Sequence, residues 1–126
     1  MKSAQELVAA AKSEIVEVSL DEAEAAVLAA DVLIDVREGN EFRDGHIGGA
    51  MSIPRGLLEF ILSTDEALQD RSRDIVVYCK SSGRAALAAK TMQEMGYLHV
   101  RSIAGGFDAW QDSGKPVAHP PKPDFD

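Results

Sequence analysis

Apolar and polar positions along the chain predict strands and helices that alternate. Two nearly continuous apolar runs, Val32–Val36 and Ile75–Tyr78, are typical of strands that are buried on both faces of a parallel sheet. Apolar residues at near-helical spacing predict a helix over Ser82–Met95, shortly after the second run. Because alternating strands and helices are typical of α/β proteins, the pattern predicts an α/β fold with a mostly parallel sheet.

The shorter elements follow from the same criteria. Short strands are predicted over residues 15–18, 50–53 and 100–103. Helices or helical turns are predicted over residues 3–12, 19–30, 38–44, 57–62, 65–68 and 107–114. Three prolines after His119 predict an extended or frayed C-terminal tail.

Composition and charge narrow the class of protein. The chain has 126 residues, of which 45% are hydrophobic and 27% are charged, as in a single globular domain. Its 21 acidic and 13 basic residues give a net charge of −8, which argues against non-specific binding to nucleic acid or anionic membranes. The apolar run Leu7–Ala11 near the N-terminus is too short for a signal peptide or a membrane span. Together with the single cysteine, this predicts a cytoplasmic protein.

The one cysteine stands where a reactive thiol is expected. Cys79 ends the second apolar run, small or basic residues follow it, and a predicted helix begins at once. Free backbone N–H groups at a helix start bind anions, and together with nearby cations they favour the thiolate form. Residues 79–90 carry three bases and no acid, in contrast to the acidic chain as a whole. A buried, inert cysteine is the alternative, and this context favours a reactive thiolate over it.

Other common sites have no support in the sequence. The three histidines lack the spacing of a metal site, so we expect no metal. The glycine pairs at 48–49 and 105–106 match no nucleotide-binding pattern, so we expect no nucleotide cofactor.

Four segments, in this order, resemble motifs of the single-domain rhodaneses. They are Asp35–Glu38, Gly45–Ala50 followed by Ile53 and Pro54, Cys79–Arg84, and Gly105–Trp110. The resemblance implies a rhodanese-like three-layer fold, with a central sheet of about five strands flanked by helices. It implies a domain over residues 16–117, with residues 1–15 as a helical extension and residues 118–126 as a proline-rich tail.

The resemblance also implies a sulfurtransferase. The cysteine of a rhodanese takes a sulfur atom from a small anionic donor such as thiosulfate and carries it as a persulfide. An external thiol or cyanide then removes this sulfur. Cys79 would be the nucleophile, and the residues expected to bind donor or persulfide are Lys80, Ser81, Ser82, Gly83, Arg84 and Arg55. Since the chain has no second cysteine, the acceptor must come from outside, and a protein acceptor remains open.

Roles for the charged residues follow from the same resemblance. Arg84 is expected to bond the loop carbonyls or meet the donor, Lys80 to attract the donor, and Arg55 to reach the mouth of the site or remain a surface cation. Supporting, mainly structural roles are expected for Asp35, Arg37, Glu38 and His46.

The chain departs from the family pattern at two positions, and two other functions stay open. Many active rhodaneses carry glycine at the position of Ser82 and serine at that of Ala85. If position 82 requires a positive φ, Ser82 is mildly strained. One alternative is a phosphatase or arsenate reductase of the same fold, although the C-x4-R spacing of Cys79 and Arg84 is shorter than the C-x5-R of those phosphatases. The other is a non-catalytic or partner-specific module that carries sulfur or regulates.

Overall fold

The structure is a computed structural model, and it describes residues 1–121. Across these residues the strands are β1 (Val16–Val18), β2 (Val32–Asp35), β3 (Met51–Ser52), β4 (Asp74–Tyr78) and β5 (His99–Ile103). The helices are α1 (Ala4–Lys12), α2 (Leu20–Ala29), α3 (Gly39–Asp44), α4 (Leu58–Thr64), α5 (Gly83–Glu94) and α6 (Gly106–Asp112). Short 3-10 turns lie at Arg55–Leu57 and Glu66–Leu68.

The strands form one parallel sheet in the order β1-β5-β4-β2-β3. β4 lies at its centre, between β5 and β2, and the last residues of β2 and β4, Asp35 and Tyr78, are paired. Because the carboxyl ends of parallel strands meet at one edge, the segments after β2 and β4 emerge side by side. The predicted α/β fold is confirmed.

Apolar layers cover both faces of the sheet. Successive side chains of a strand point to opposite faces, and β2 and β4 are apolar on both. Ile34 and Val77 pack with α4 and α5, whereas Leu33 and Val76 pack with α2 and α6. These two layers bury the central strands completely, which explains why their sequences are almost continuously apolar.

Helix α1 and the segment around Ala118 are attached to this body. α1 begins at Ser3, whose hydroxyl accepts the Glu6 N–H, and the helix packs along α5. Ala118 forms an antiparallel bridge with His46, so the predicted tail starts on a paired residue. Residues 119–121 form no regular element, and the rest of the predicted tail, residues 122–126, lies outside the described residues. In the described part of the chain, no helix has the length and apolar character needed to cross a membrane.

Candidate active site

Cys79 lies directly after β4, at the carboxyl edge of the sheet, and its side chain is buried. Its Sγ accepts a hydrogen bond from the backbone N–H of Ala85, in the first turn of α5, at 3.3 Å. The residues between them form a tight loop, here called the Cys79 loop (residues 79–84). The sulfur therefore faces a helix start, where backbone N–H groups have no partner within the helix.

The back of the Cys79 loop is held by the start of α6. The N–H of Phe107 donates to the carbonyl oxygen of Cys79 at 2.8 Å, and the N–H of Asp108 donates to that of Lys80 at 3.0 Å. In a trans peptide group the N–H points away from the C=O. The amides of Lys80 and Ser81 therefore point away from α6, where they are free to meet an anion.

Gly106 makes this close approach possible. It has φ +59°, and a Cβ placed on it would lie 2.5 Å from the carbonyl oxygen of Cys79 and 2.8 Å from that of Lys80. It would lie closer still to the carbonyl oxygen of Ser81. Only glycine fits here, because a side chain would collide with the loop and the backbone conformation disfavours one.

Arg84 does not bond the carbonyls of Cys79 and Lys80, which was one of its two expected roles. Its guanidinium donates to both carboxylate oxygens of Glu41 on α3, at 2.7 and 3.1 Å. These hydrogen bonds lower the pKa of Glu41 and raise that of Arg84, so both are ionised at neutral pH. The carbonyl oxygens of Cys79 and Lys80 accept the α6 amides, and contact between Arg84 and the donor, the other expected role, stays a prediction.

The positive charge counted along residues 79–90 is balanced in space. The ion pairs are Lys80 with Asp108, Arg84 with Glu41, and Lys90 with Glu14 and Glu94. All of these acids lie outside the segment in sequence. The count of bases along the segment therefore overstated the positive charge at the loop.

Ser82 does not adopt the left-handed backbone conformation. Its φ is −150°, so position 82 does not require the left-handed conformation, and the expected strain does not arise. Its side chain caps no amide of α5. Instead, the Nζ of Lys12 on α1 donates to its Oγ at 2.7 Å. The sequence analysis missed Lys12, because no local pattern connects residues that lie so far apart.

A buried ion pair lies at the end of β2. Arg37 donates to both carboxylate oxygens of Asp35, over 2.7–3.1 Å, and to the carbonyl oxygen of Gly45 at 2.7 Å. Its guanidinium also lies 4.3 Å from the ring centroid of Phe107 on α6. Burial opposes the charge on Arg37, but hydrogen bonds and attraction from Asp35 outweigh it and raise its pKa. The pair therefore joins β2, the segment before His46, and α6.

Glu38 and His46 organise the segment that follows β2. The backbone N–H of Glu38 donates to Oε1 of Glu41 at 3.0 Å, at the start of α3. The ring of His46 stacks on Phe42 at 3.8 Å, and its Nδ1 lies 3.0 Å from the carbonyl oxygen of Phe42. Glu41 is thus shared between the helix start and Arg84. The sequence analysis missed this role, because Glu41 and Arg84 are far apart in the chain.

The guanidinium of Arg55 is held by α4 and α5. It donates to Glu59 at 2.9 and 3.1 Å and to the hydroxyl of Thr91 at 3.1 Å. The backbone N–H of Arg55 donates to the carbonyl oxygen of Val36, just after β2. Contact between Arg55 and a donor at the mouth of the loop stays a prediction.

Together, fold and loop define a class: an α/β protein whose parallel sheet carries a buried cysteine in a tight loop before a helix, at its carboxyl edge. The family model described as "Rhodanese-like domain" matches residues 19–113. The chain belongs to this family, and homologues in it are named sulfurtransferases.

Individual relatives agree with this membership. A protein of Allochromatium vinosum named "Sulfurtransferase" is 34% identical over 89 residues, which cover 71% of this chain and 79% of the relative. The uncharacterised protein YqhL of Bacillus subtilis is 40% identical over 78 residues. That match covers 62% of this chain and 59% of YqhL, so it spans less than two thirds of that relative.

One solved structure matches most of the chain. It is RPA3614 of Rhodopseudomonas palustris, described as a protein of unknown function and possible tyrosine phosphatase. The TM-score is 0.85 at 36% identity, over 94% of this chain and 96% of RPA3614.

Proposed function

We propose that this protein transfers sulfane sulfur from thiosulfate, or a similar anionic donor, through a persulfide on Cys79. The observation that carries the proposal is the contact between the Cys79 sulfur and the first turn of α5. A nucleophilic sulfur held against free backbone amides can bind and stabilise the anionic persulfide that sulfur transfer requires. The rhodanese-like family of the chain supports the same reaction.

Two displacements complete the cycle. The Cys79 thiolate attacks the outer sulfur of thiosulfate, the S–S bond of the donor breaks, and sulfite leaves with the bonding pair. The new sulfur then carries the negative charge of the persulfide, for which the amides of Lys80 and Ser81 are available because their carbonyls are turned toward α6. An acceptor attacks this sulfur in turn, and the Cys79 thiolate is restored.

The acceptor comes from outside the chain. The sequence holds one cysteine, so no internal thiol can take the sulfur from Cys79. The proposed acceptors are cyanide and low-molecular-weight thiols. A thiol on another protein is a further possible acceptor in this proposal. A cytoplasmic location, where such thiols stay reduced, remains a prediction.

Intact mass spectrometry tests the proposal directly. Incubation with thiosulfate should add one sulfur atom to the wild-type protein, and cyanide should then remove it as thiocyanate. The Cys79→Ser variant should gain none. If the wild type gains no sulfur, or Cys79→Ser gains as much, the proposed function is wrong. Hydrolysis of an aryl phosphate at a rate above that of sulfur loading would favour the phosphatase alternative instead.

Replacing Arg84 by alanine should affect the reaction far more than the fold. The Arg84–Glu41 pair is partly exposed, so its loss should cost less than about 1 kcal/mol of unfolding free energy. We expect the rate of sulfur loading from thiosulfate to fall more than tenfold, because the Glu41 carboxylate is left without its partner and repels the anionic donor. Timed assays of sulfur loading measure the rate, and urea unfolding measures the free energy of unfolding.

Arg73→Ala is the matched control for Arg84→Ala. Arg73 is an exposed arginine, 4.0 Å from Asp70 and outside the Cys79 loop. It should leave both loading and stability nearly unchanged. Comparable fractional losses of activity and stability in Arg84→Ala would mean that Arg84 is purely structural.

A further inference from the structure

The helix that precedes the matched family region reaches the Cys79 loop. α1 lies outside residues 19–113, yet the side chain of Val8 is 3.7 Å from where a Cβ on Gly83 would stand. One turn further along α1, Lys12 donates to the hydroxyl of Ser82 at 2.7 Å. Two adjacent residues of the loop are thus covered by a segment that the family model does not include.

Lys12 differs from Lys80 and Arg84 in the groups that lie close to its positive charge. Lys80 and Arg84 each contact a carboxylate at 2.7 Å. The close partner of Lys12 is a neutral hydroxyl, and its carboxylate neighbour, Glu17, is 4.0 Å away. The side chain of Lys12 is 36% exposed. Of these three bases, Lys12 is the one with most charge left for a ligand.

A groove runs beside this contact. It has a volume of about 420 Å³, mostly apolar walls formed by α1, and the loop residues Ser82 and Gly83 on its other side. Lys12 lies at its edge. Thiosulfate and cyanide are much smaller than such a space, which has the size of a site for a small organic molecule.

We propose that Lys12 and this groove select the sulfur acceptor: an organic thiol with a short apolar stem and an anionic group. The apolar walls take the stem, Lys12 binds the anion, and the thiol is directed over Ser82 toward the Cys79 loop. This inference rests on the proposed function. In the transfer step the acceptor thiolate attacks the outer persulfide sulfur, the bond from that sulfur to Cys79 breaks, and the acceptor leaves as its own persulfide. Lys12 acts as a specificity-determining residue and takes no part in bond making.

The test compares three thiols that differ in charge: 3-mercaptopropionate, 2-mercaptoethanol and cysteamine. With protein preloaded from thiosulfate, Lys12→Met should lower kcat/KM for 3-mercaptopropionate about fivefold, as expected for one partly exposed charge interaction. Lys12→Met should leave kcat/KM for 2-mercaptoethanol unchanged and should not lower kcat/KM for cysteamine. Lys12→Arg should restore the wild-type value. If Lys12 were merely structural, Lys12→Met would change kcat/KM for all three thiols by the same factor.

The control variant is Lys90→Ala. Lys90 carries the same charge and bonds Glu14, just beyond α1, but lies two turns along α5 from the loop. It should leave the discrimination between the thiols unchanged. The proposal is overturned if Lys12→Met affects all three thiols equally, or if it affects only the loading from thiosulfate. It is also overturned if Lys90→Ala loses the same discrimination.

A second measurement does not depend on sulfur transfer. Iodoacetate and iodoacetamide are thiol-alkylating reagents that differ in charge, and the chain has a single cysteine, so the ratio of their rates should report how anions reach it. Lys12→Met should lower this ratio severalfold. If the wild type takes no sulfur from thiosulfate but the ratio falls as expected, the proposed function fails and the steering role of Lys12 stands. An unchanged ratio overturns the role of Lys12 even in a protein that loads sulfur normally.

Discussion

Alanine at position 106 should destabilise the protein by about 3 kcal/mol and slow sulfur loading more than tenfold. The left-handed backbone costs a side chain about 1–2 kcal/mol, and forced overpacking adds about 1–3 kcal/mol. At Gly106 both apply, because φ is +59° and a Cβ would collide with three carbonyl oxygens of the Cys79 loop. To relieve the collision the loop must move off α6, and its amides turn with it.

Gly114→Ala is the matched control. Gly114 has a similar backbone, with φ +80°, but a Cβ there meets nothing within 4 Å. The free energy of unfolding of Gly114→Ala should fall only by the conformational cost of a left-handed alanine, about 1 kcal/mol. The variant should load sulfur at the wild-type rate. Urea unfolding and the loading assay compare the variants. Equal losses in both would show that contact with the loop carbonyls has no influence on stability.

The second large effect is expected at Asp35. Asp35→Asn leaves the Arg37 guanidinium buried without its carboxylate, and breaking a buried pair in this way typically costs about 3–5 kcal/mol. Asp35 is 0% exposed and Arg37 4%, so water cannot replace the lost partner. The variant should unfold at much lower urea concentration than the wild type, with an unchanged slope of the transition.

Two further variants separate the missing partner from the missing charge. Asp35→Asn combined with Arg37→Met removes both members and should recover part of the loss, because no unpaired charge then stays buried. Arg73→Met removes an exposed arginine from its weak pair with Asp70 and should change stability little. If Asp35→Asn behaves like Arg73→Met, the buried pair is not a significant contribution to the fold.

The central fold could be predicted because its signals are local. Val32–Val36 and Ile75–Tyr78 are apolar at nearly every position, and a strand covered on both faces requires that. The structure places both at the centre of the sheet, with Cys79 at the predicted edge. The observed ends of helices and strands differ from the predicted ends by a residue or two. These ends depend on hydrogen bonds that the apolar pattern does not encode.

The contacts around the cysteine could not be predicted, because they join residues far apart in the chain. Arg84 meets Glu41, Lys80 meets Asp108, and Ser82 meets Lys12. A count of charges along one segment sees only one member of each pair.

The dependence of the Cys79 loop on α6 has a consequence for how the protein acquires its site. Ribosomal synthesis proceeds from the N-terminus, so Cys79 leaves the ribosome before Gly106, Phe107 and Asp108 do. Until those residues arrive, the carbonyls of Cys79 and Lys80 have no partners, and nothing fixes the direction of the neighbouring amides. The Cys79 loop therefore takes its final form only after α6 has been made.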